Sequence, residues 1–364
     1  MTDTRFYPLT IERIRNETES AVVVDFSVDD ELASAFKFKQ GQYLTLSAEI
    51  DGQTVRRSYS VCTGVDEGKL AVAIRRIEGG LFSNYVNDSL RQGQIVGVMP
   101  PQGEFYTELD PANEKHYMCI AAGSGITPII SIIKSVLAKE PKSRVTLIYG
   151  NRRSNTIMFK EELGFVKNRY MDRFNWINVL SQERQDAEVL YGRIDNKKGA
   201  ELQAKGLIEL SNVDEFFLCG PHEMITNLSS GLRKSNINEA NIHYELFFAS
   251  SDDAEAVKTK RDERSRLYSG KVSQVSVTWD GRTIDFPLPV DGDNVLDGAM
   301  KNGVDLPFSC KGGVCATCKC RVLEGTVDMD VNHALSDGEI AQGVVLACQA
   351  HPLSSRVVLD FDHK

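Results

Sequence analysis

This 364-residue chain lacks any run of 18 apolar residues, so no conventional membrane-spanning helix is expected. It also lacks a basic excess. A formal net charge of −9 argues against nucleic acid or an anionic membrane surface as partner. The start, Met1 to Ile11, has no basic stretch followed by an apolar one, so no secretory leader is expected. There are no internal repeats and no low-complexity tracts. What remains, 41% hydrophobic and 26% charged, is the composition of an ordinary soluble protein long enough for two or three domains. Of eight cysteines, four fall in one motif, while Cys62, Cys119 and Cys219 lie far apart. That usage suggests a cytoplasmic protein with reduced thiols rather than a disulfide framework.

Three regions follow from the pattern. Residues 1–110 hold short alternating strands, at 21–26, 42–47, 58–62 and 70–75, with a helix from Leu81 and an end at Pro100-Pro101-Gln102-Gly103. This spacing suggests an antiparallel β-barrel. Residues 111–248 alternate strands and helices, which predicts a parallel α/β sheet of Rossmann type. Residues 249–268 are a mixed charge run without apolar periodicity, expected to be a solvated linker. Residues 269–364 contain a hairpin around Asp280-Gly281, a helix at 295–301 and a final strand at 357–361. From Gly270 onward 13 acidic residues face 8 basic ones, so this region is acidic.

The strongest chemical signal is Cys310, Cys315 and Cys318, spaced C-x4-C-x2-C, with Cys348 after 29 intervening residues. This is the plant-type [2Fe–2S] ligand spacing. Gly312 and Gly313 between the first two ligands let the backbone approach the sulfurs. Zinc is the plain alternative, but it usually pairs two C-x2-C units, and only Cys315 and Cys318 qualify. Cys320 reads as a packed thiol beyond the ligands.

Three weaker signals accompany it. In Arg57-Ser58-Tyr59-Ser60, a ring and a hydroxyl on a barrel strand can cover a flavin, and the arginine can pair with its pyrophosphate. Gly79-Gly80-Leu81-Phe82-Ser83 opens a helix whose N–H groups suit phosphate, which points to FAD rather than FMN. Each also reads plainly, as a surface strand and a simple helix start. Ala121-Ala122-Gly123-Ser124-Gly125-Ile126-Thr127-Pro128 follows a strand and opens a helix, a nucleotide-phosphate loop that is not G-x-G-x-x-G. Cys219-Gly220-Pro221 ends another strand of the same sheet, at the edge where ligands bind.

These motifs, in this order, resemble the ferredoxin–NADP reductase superfamily. The C-terminal cysteine motif narrows the resemblance to reductase components of multicomponent oxygenases. The resemblance implies that the last module is a β-grasp ferredoxin. It implies that Tyr59 stacks on the flavin, Ser60 sits near its N5, and Arg57 with Gly80, Leu81, Phe82 and Ser83 holds the diphosphate. Ala73, Ile74 and Arg75 would line the ribityl side. Gly123, Gly125, Thr127 and Pro128 would form the nucleotide loop, with Thr127 touching flavin and nicotinamide. Cys219, with Gly220 and Pro221, would lie beside the nicotinamide. Glu245 would relay a proton, and Phe247 would stand where plant-type members end in tyrosine.

For the coenzyme, Arg152, Arg153 and Arg184 favour NADPH, while Glu183 favours NADH. By the same resemblance, the acceptor is the di-iron oxygenase of a multicomponent monooxygenase acting on an aromatic acyl-CoA. The alternatives are the reductase of an aromatic ring-hydroxylating dioxygenase and a flavin/iron–sulfur redox sensor or electron-carrier scaffold.

Overall fold

The computed structural model describes residues 5–247 and 251–363, with side chains left undescribed at 251–256. The chain divides into two compact units, Arg5–Glu245 and the residues from Leu246 onward. Among the described residues no helix is long and apolar enough to cross a membrane.

The first unit begins with β1 (Tyr7–Thr18), β2 (Ala21–Ser27), β3 (Tyr43–Ile50), β4 (Gln53–Ser60), β5 (Leu70–Arg75), α1 (Leu81–Asp88) and β6 (Ile95–Gln102). The strands form one antiparallel sheet in the order β4-β3-β6-β1-β2-β5. A bridge between Val61 and Val72, with the Cys62 N–H on the Ala71 carbonyl at 3.0 Å, joins the edge beyond β4 to β5. The sheet therefore curls towards closure, which protects its edges. Leu9, Ile11, Val24, Leu44, Val72 and Phe82 are among the residues that fill it. The segment Pro100-Pro101-Gln102 forms the end of β6, the last strand of this sheet in chain order. One sequence expectation needs correction. Strand β4 starts at Gln53, five residues before the expected 58, because the Asp51-Gly52 turn pairs it along the whole of β3.

The same unit continues with β7 (His116–Ala122), α2 (Ile126–Lys139), β8 (Arg144–Asn151), α3 (Lys160–Arg169), β9 (Phe174–Leu180), α4 (Asn196–Ala204), β10 (Glu215–Cys219), α5 (His222–Lys234) and β11 (Ile242–Glu245). All five strands run parallel in the order β11-β10-β7-β8-β9. Parallel strands buried on both faces need near-continuous apolar sequence, which His116–Ala122 and Glu215–Cys219 supply. Helix α2 ties this sheet to the barrel. Ser131 donates to the Thr63 carbonyl at 2.7 Å, and buried Lys134 lies 2.9 Å from Glu67 and 2.7 Å from Glu162.

The second unit comprises α6 (Ser251–Tyr268), β12 (Val272–Trp279), β13 (Arg282–Pro289), α7 (Val295–Lys301), β14 (Lys319–Glu324), β15 (Val327–Met329), α8 (Asp337–Ala341), β16 (Val344–Leu346), β17 (Ala350–Pro352) and β18 (Arg356–Asp360). A mixed sheet, β13-β12-β18-β14-β16, carries α7 against its core, and β15 pairs with β17 apart from it. This is the expected β-grasp arrangement. The segment expected as a linker is helical from Ser251 to Tyr268, while residues 249 and 250 lie outside the described residues. Helix periodicity was absent because charge rather than an apolar stripe holds α6. Arg264 is its buried anchor.

Replacing Lys134 with methionine leaves Glu67 and Glu162 facing each other without their shared cation. The cation is buried but both carboxylates are about a third exposed and stay hydrated, so losing its charged hydrogen bonds costs about 2 kcal/mol. Urea denaturation of Lys134→Met should show that loss, whereas Lys142→Met, at an exposed pair 3.9 Å long, should change stability little.

Candidate functional site

The C-terminal edge of the parallel sheet gathers the expected reactive residues. Cys219, the last residue of β10, pairs in register with Ala121 of β7 and Glu245 of β11. Ser60, the last residue of β4, reaches across from the barrel, its hydroxyl donating to Glu245 Oε2 at 3.2 Å. Glu245 is half-buried, and desolvation pushes its carboxyl up to about 8, outweighing the Ser60 hydrogen bond. Cys219 is fully buried; burial and then the nearby Glu245 push its thiol well up. Near neutrality the pair Ser60–Glu245 therefore holds a proton it can share, while Cys219 stays a packed thiol.

The residues expected on the flavin side lie on β4, β5 and α1. The first turn of α1 has no side-chain cap at Gly80 and no acidic residue, so its N–H groups are open to an anion. Ser83 folds back, accepting the Ile77 N–H at 3.1 Å and donating to the Gly80 carbonyl at 3.3 Å. Tyr59 is half-buried with its ring 5.8 Å from that of buried Phe82, while Leu81 is exposed. Ala73 and Ile74 are buried on β5. Arg75, at its end, places a guanidinium nitrogen 3.0 Å from where a Cβ on Gly123 would stand. Arg57 is exposed, and its guanidinium donates to the Arg56 carbonyl at 2.6 Å.

The nucleotide loop is one tight turn, Gly123–Gly125, leading into α2, again without a side-chain cap or an acid in the first turn. A Cβ on Gly125 would stand 2.2 Å from the Cys219 carbonyl oxygen, so only glycine lets the loop meet the end of β10. Thr127 and Pro128 are buried, and the Thr127 hydroxyl donates to the Ser124 carbonyl at 3.1 Å, within its own turn. Gly220 and Pro221 open α5. Sequence reasoning missed Tyr149, whose hydroxyl donates to the Gly123 carbonyl at 2.9 Å and braces the loop. Nothing in a buried strand pattern marks such a residue.

Arg152 and Arg184 stand exposed beyond β8 and β9. Arg184 lies 3.6 Å from Glu188. Glu183 accepts from the Ser154 N–H at 2.8 Å and hydroxyl at 3.0 Å, and these bonds hold its carboxyl below the usual range. Phe247 lies just past the end of the parallel sheet. Strand β11 ends at Glu245, and Phe247 belongs to the second unit.

In the second unit the four expected cysteines form two hydrogen-bonded pairs, Cys310 with Cys315 and Cys318 with Cys348. Among the described residues no three metal-binding side chains converge on one point. Two thiol pairs fit two irons rather than one ion. The amides of Gly312, Val314 and Cys315 point at Cys310, and that of Gly313 at Cys348. The Cys315 thiol, with these N–H groups, outweighs burial and lowers Cys310 to about 6. Gly313 has φ +73°, and a Cβ there would meet the Val331 carbonyl at 3.0 Å. Thr317, 3.3 Å from Cys315, and Gln349, which donates to the Lys311 carbonyl at 2.9 Å, complete the loop and were not foreseen. Cys320 is buried in the core of the sheet.

This donor chemistry fits a flavin diphosphate at α1, a nucleotide at α2 and a thiolate-held cluster in the second unit. Family models match in the same places: an oxidoreductase FAD-binding domain at 8–106, an oxidoreductase NAD-binding domain at 119–230, and a 2Fe–2S iron–sulfur cluster binding domain at 277–353. The chain belongs to the ferredoxin–NADP reductase superfamily, among members that add a [2Fe–2S] ferredoxin domain in the same chain. It is an oxidoreductase that carries electrons from a pyridine nucleotide through flavin to the cluster.

One component of the 1,2-phenylacetyl-CoA epoxidase of Escherichia coli K12 is 42% identical over 99% of both chains. The ferredoxin reductase component of 3-ketosteroid-9-alpha-monooxygenase from Rhodococcus rhodochrous is 31% identical over 97% of this chain and 96% of its own. Phthalate dioxygenase reductase shares the fold, with a TM-score of 0.61 at 21% identity over 98% of each chain.

Serine at Cys310, Cys315, Cys318 or Cys348 should remove most of the cluster's visible absorbance, whereas Cys320→Ser should retain it. Glu245 gives a pH test. Its folded pKa of about 8 exceeds the ordinary 4.5, so folding favours the protonated form. Stability should fall as pH rises from about 4.5 to 8 and level off above. Glu245→Gln should lose that decline, read from urea midpoints at pH 5 and pH 8.

Proposed function

We propose that this protein is the NADPH-dependent reductase of a di-iron oxygenase that epoxidises the ring of phenylacetyl-CoA in the cytoplasm. The observation that carries the acceptor is the 42% identity, end to end, with the epoxidase component. When bound, FAD accepts a hydride and releases single electrons, and the [2Fe–2S] cluster carries those electrons one at a time.

The chain's residues supply position and protons. Ser60 and Glu245 hold a mobile proton at the flavin edge, and Cys219 fills the space beside the nicotinamide without ionising. Arg57 and the open N-terminus of α1 hold the flavin diphosphate, while Tyr59 backs its ring. Arg57 turns from the Arg56 carbonyl to do so. Thr127 holds the loop through Ser124 and would touch both flavin and nicotinamide when they are bound.

Arg152 and Arg153 bind the 2′-phosphate of NADPH. Glu183 is the acid that would otherwise favour NADH, but its carboxylate is already satisfied by Ser154. The acidic second unit presents its charge to basic residues on the oxygenase, so rising ionic strength should slow delivery.

Ser60→Ala should slow anaerobic flavin reduction by NADPH about 100-fold with FAD content unchanged. Arg152→Ser with Arg153→Ser should lower kcat/KM for NADPH by tenfold or more and leave NADH unaffected. The acceptor is tested by mixing the holoprotein with the epoxidase's oxygenase component. Phenylacetyl-CoA-dependent NADPH oxidation is the expected result. Coupling only to a ring-hydroxylating dioxygenase overturns this assignment, and no coupling to any oxygenase returns the sensor or carrier reading.

A further inference from the structure

Helix α6 is fastened to the cluster-bearing unit by charge. The Arg264 side chain is only 6% exposed and lies 2.6 Å from Asp330, itself 10% exposed. The same guanidinium reaches Asp328 at 3.4 Å. One turn earlier Lys260 lies 3.5 Å from Asp328 and donates to the Met329 carbonyl at 2.5 Å. On the far side His351 meets Asp330 at 3.1 Å. The Arg264–Asp330 contact is an ion pair without the alignment of a directed hydrogen bond.

Burying such charges is expensive, and apolar residues of similar volume often serve stability as well or better. Stability alone therefore gives no reason for this group. Its position does. Asp328 and Met329 lie on β15, paired with His351 and Ala350 of β17, and Ala350 is two residues beyond the ligand Cys348. The Asp330 N–H donates to the Gln349 carbonyl at 3.0 Å, and the His333 N–H to the Gly313 carbonyl at 3.0 Å. Residues 328–333 thus back the cluster loop twice, behind Gly313 between the first two ligands and behind Gln349 after the last.

We propose that Arg264 is a positioning residue for electron delivery: it locks α6 onto the β15–β17 ribbon and, balanced against Asp328 and Asp330, sets the cluster's one-electron potential. The inference needs the cluster on its four cysteines and does not depend on the identity of the acceptor. Its electrostatic content has a definite sign. An electron added to the cluster is opposed by nearby carboxylates and favoured by a nearby cation. Removing Arg264 exposes the loop to two incompletely balanced aspartates and disfavours reduction. Removing the charge of Asp330 favours it.

The test uses the full-length holoprotein and an anaerobic redox titration followed by the cluster's visible and EPR signals. Arg264→Met should lower the equilibrium constant for cluster reduction by three- to tenfold, up to about 59 mV for one electron. Asp330→Asn should shift it the opposite way, Arg264→Lys should stay near wild type, and the double variant Arg264→Met/Asp330→Asn should return towards it. Stopped-flow mixing with NADPH should show unchanged flavin reduction in all four and slower cluster reduction in Arg264→Met. Shifts of the same sign in Arg264→Met and Asp330→Asn would mean simple loosening of the fold and overturn the proposal, as would no shift in either. Should Arg264→Met lose its cluster, Asp330→Asn and Arg264→Lys decide: a raised constant in the first with an unchanged one in the second supports the proposal, and any other pair of results overturns it.

Discussion

Backbone N–H groups left without an internal partner organise this molecule. A buried amide must find an acceptor, and the first turn of every helix leaves several exposed. Three helices here close that deficit with their own capping side chains, and a fourth is met by a neighbour just before it starts. Asp195, Asn294 and Ser336 cap α4, α7 and α8, and Glu17 of the barrel accepts the Phe159 N–H ahead of α3. Helices α1 and α2 have neither a side-chain cap nor an acid in the first turn, and both begin where the cofactor edge lies. The cysteine loop follows the same logic with sulfur as acceptor, since the amides of Gly312 and Gly313 are aimed at Cys310 and Cys348. Nucleotide phosphates and iron-bound thiolates are both anionic, and the fold meets both with unspent backbone donors.

That constraint explains how much could be read from the residues. Glycine spacing revealed the loops because glycine is what close backbone approach requires, as at Gly125 against the Cys219 carbonyl and at Gly313 with φ +73°. Cysteine spacing revealed the cluster because two irons fix the geometry of four ligands. The alternating strands announced the barrel and the apolar runs announced the parallel sheet. Tyr149 and Gln349 were invisible, because their bracing hydrogen bonds cross long sequence separations. No local pattern encodes such a contact. The meeting of Ser60, Cys219 and Glu245 was suggested by resemblance alone, and it arises where the end of a barrel strand meets the ends of two parallel strands.

Helix α6 shows where sequence pattern misleads. A segment rich in Asp, Glu, Lys and Arg with no apolar stripe reads as solvated, and most of this one is. Its decisive residue is one arginine among several, and composition cannot say which charge is buried. Arg264 is distinguished only by Asp328 and Asp330, more than 60 residues away. The helix is consequently better regarded as the first element of the cluster-bearing unit than as a spacer.

Environment then divides one residue type into separate roles. Burial among apolar neighbours pushes the thiols of Cys62, to about 12, and of Cys119 and Cys219 upward, so they remain protonated packing groups. In the cysteine loop, one sulfur of each pair accepts from its neighbour and from backbone amides and is lowered, as at Cys310 and Cys348, while its partner donates and is raised, as at Cys315 and Cys318. Backbone donors at these positions favour negative charge on sulfur, as iron ligation requires. Loading the metal must displace the remaining protons, so assembly is coupled to proton release. The amides aimed at Cys310 and Cys348 donate to sulfur, so the same donors would hold thiolate ligands and stabilise the charge of a bound cluster.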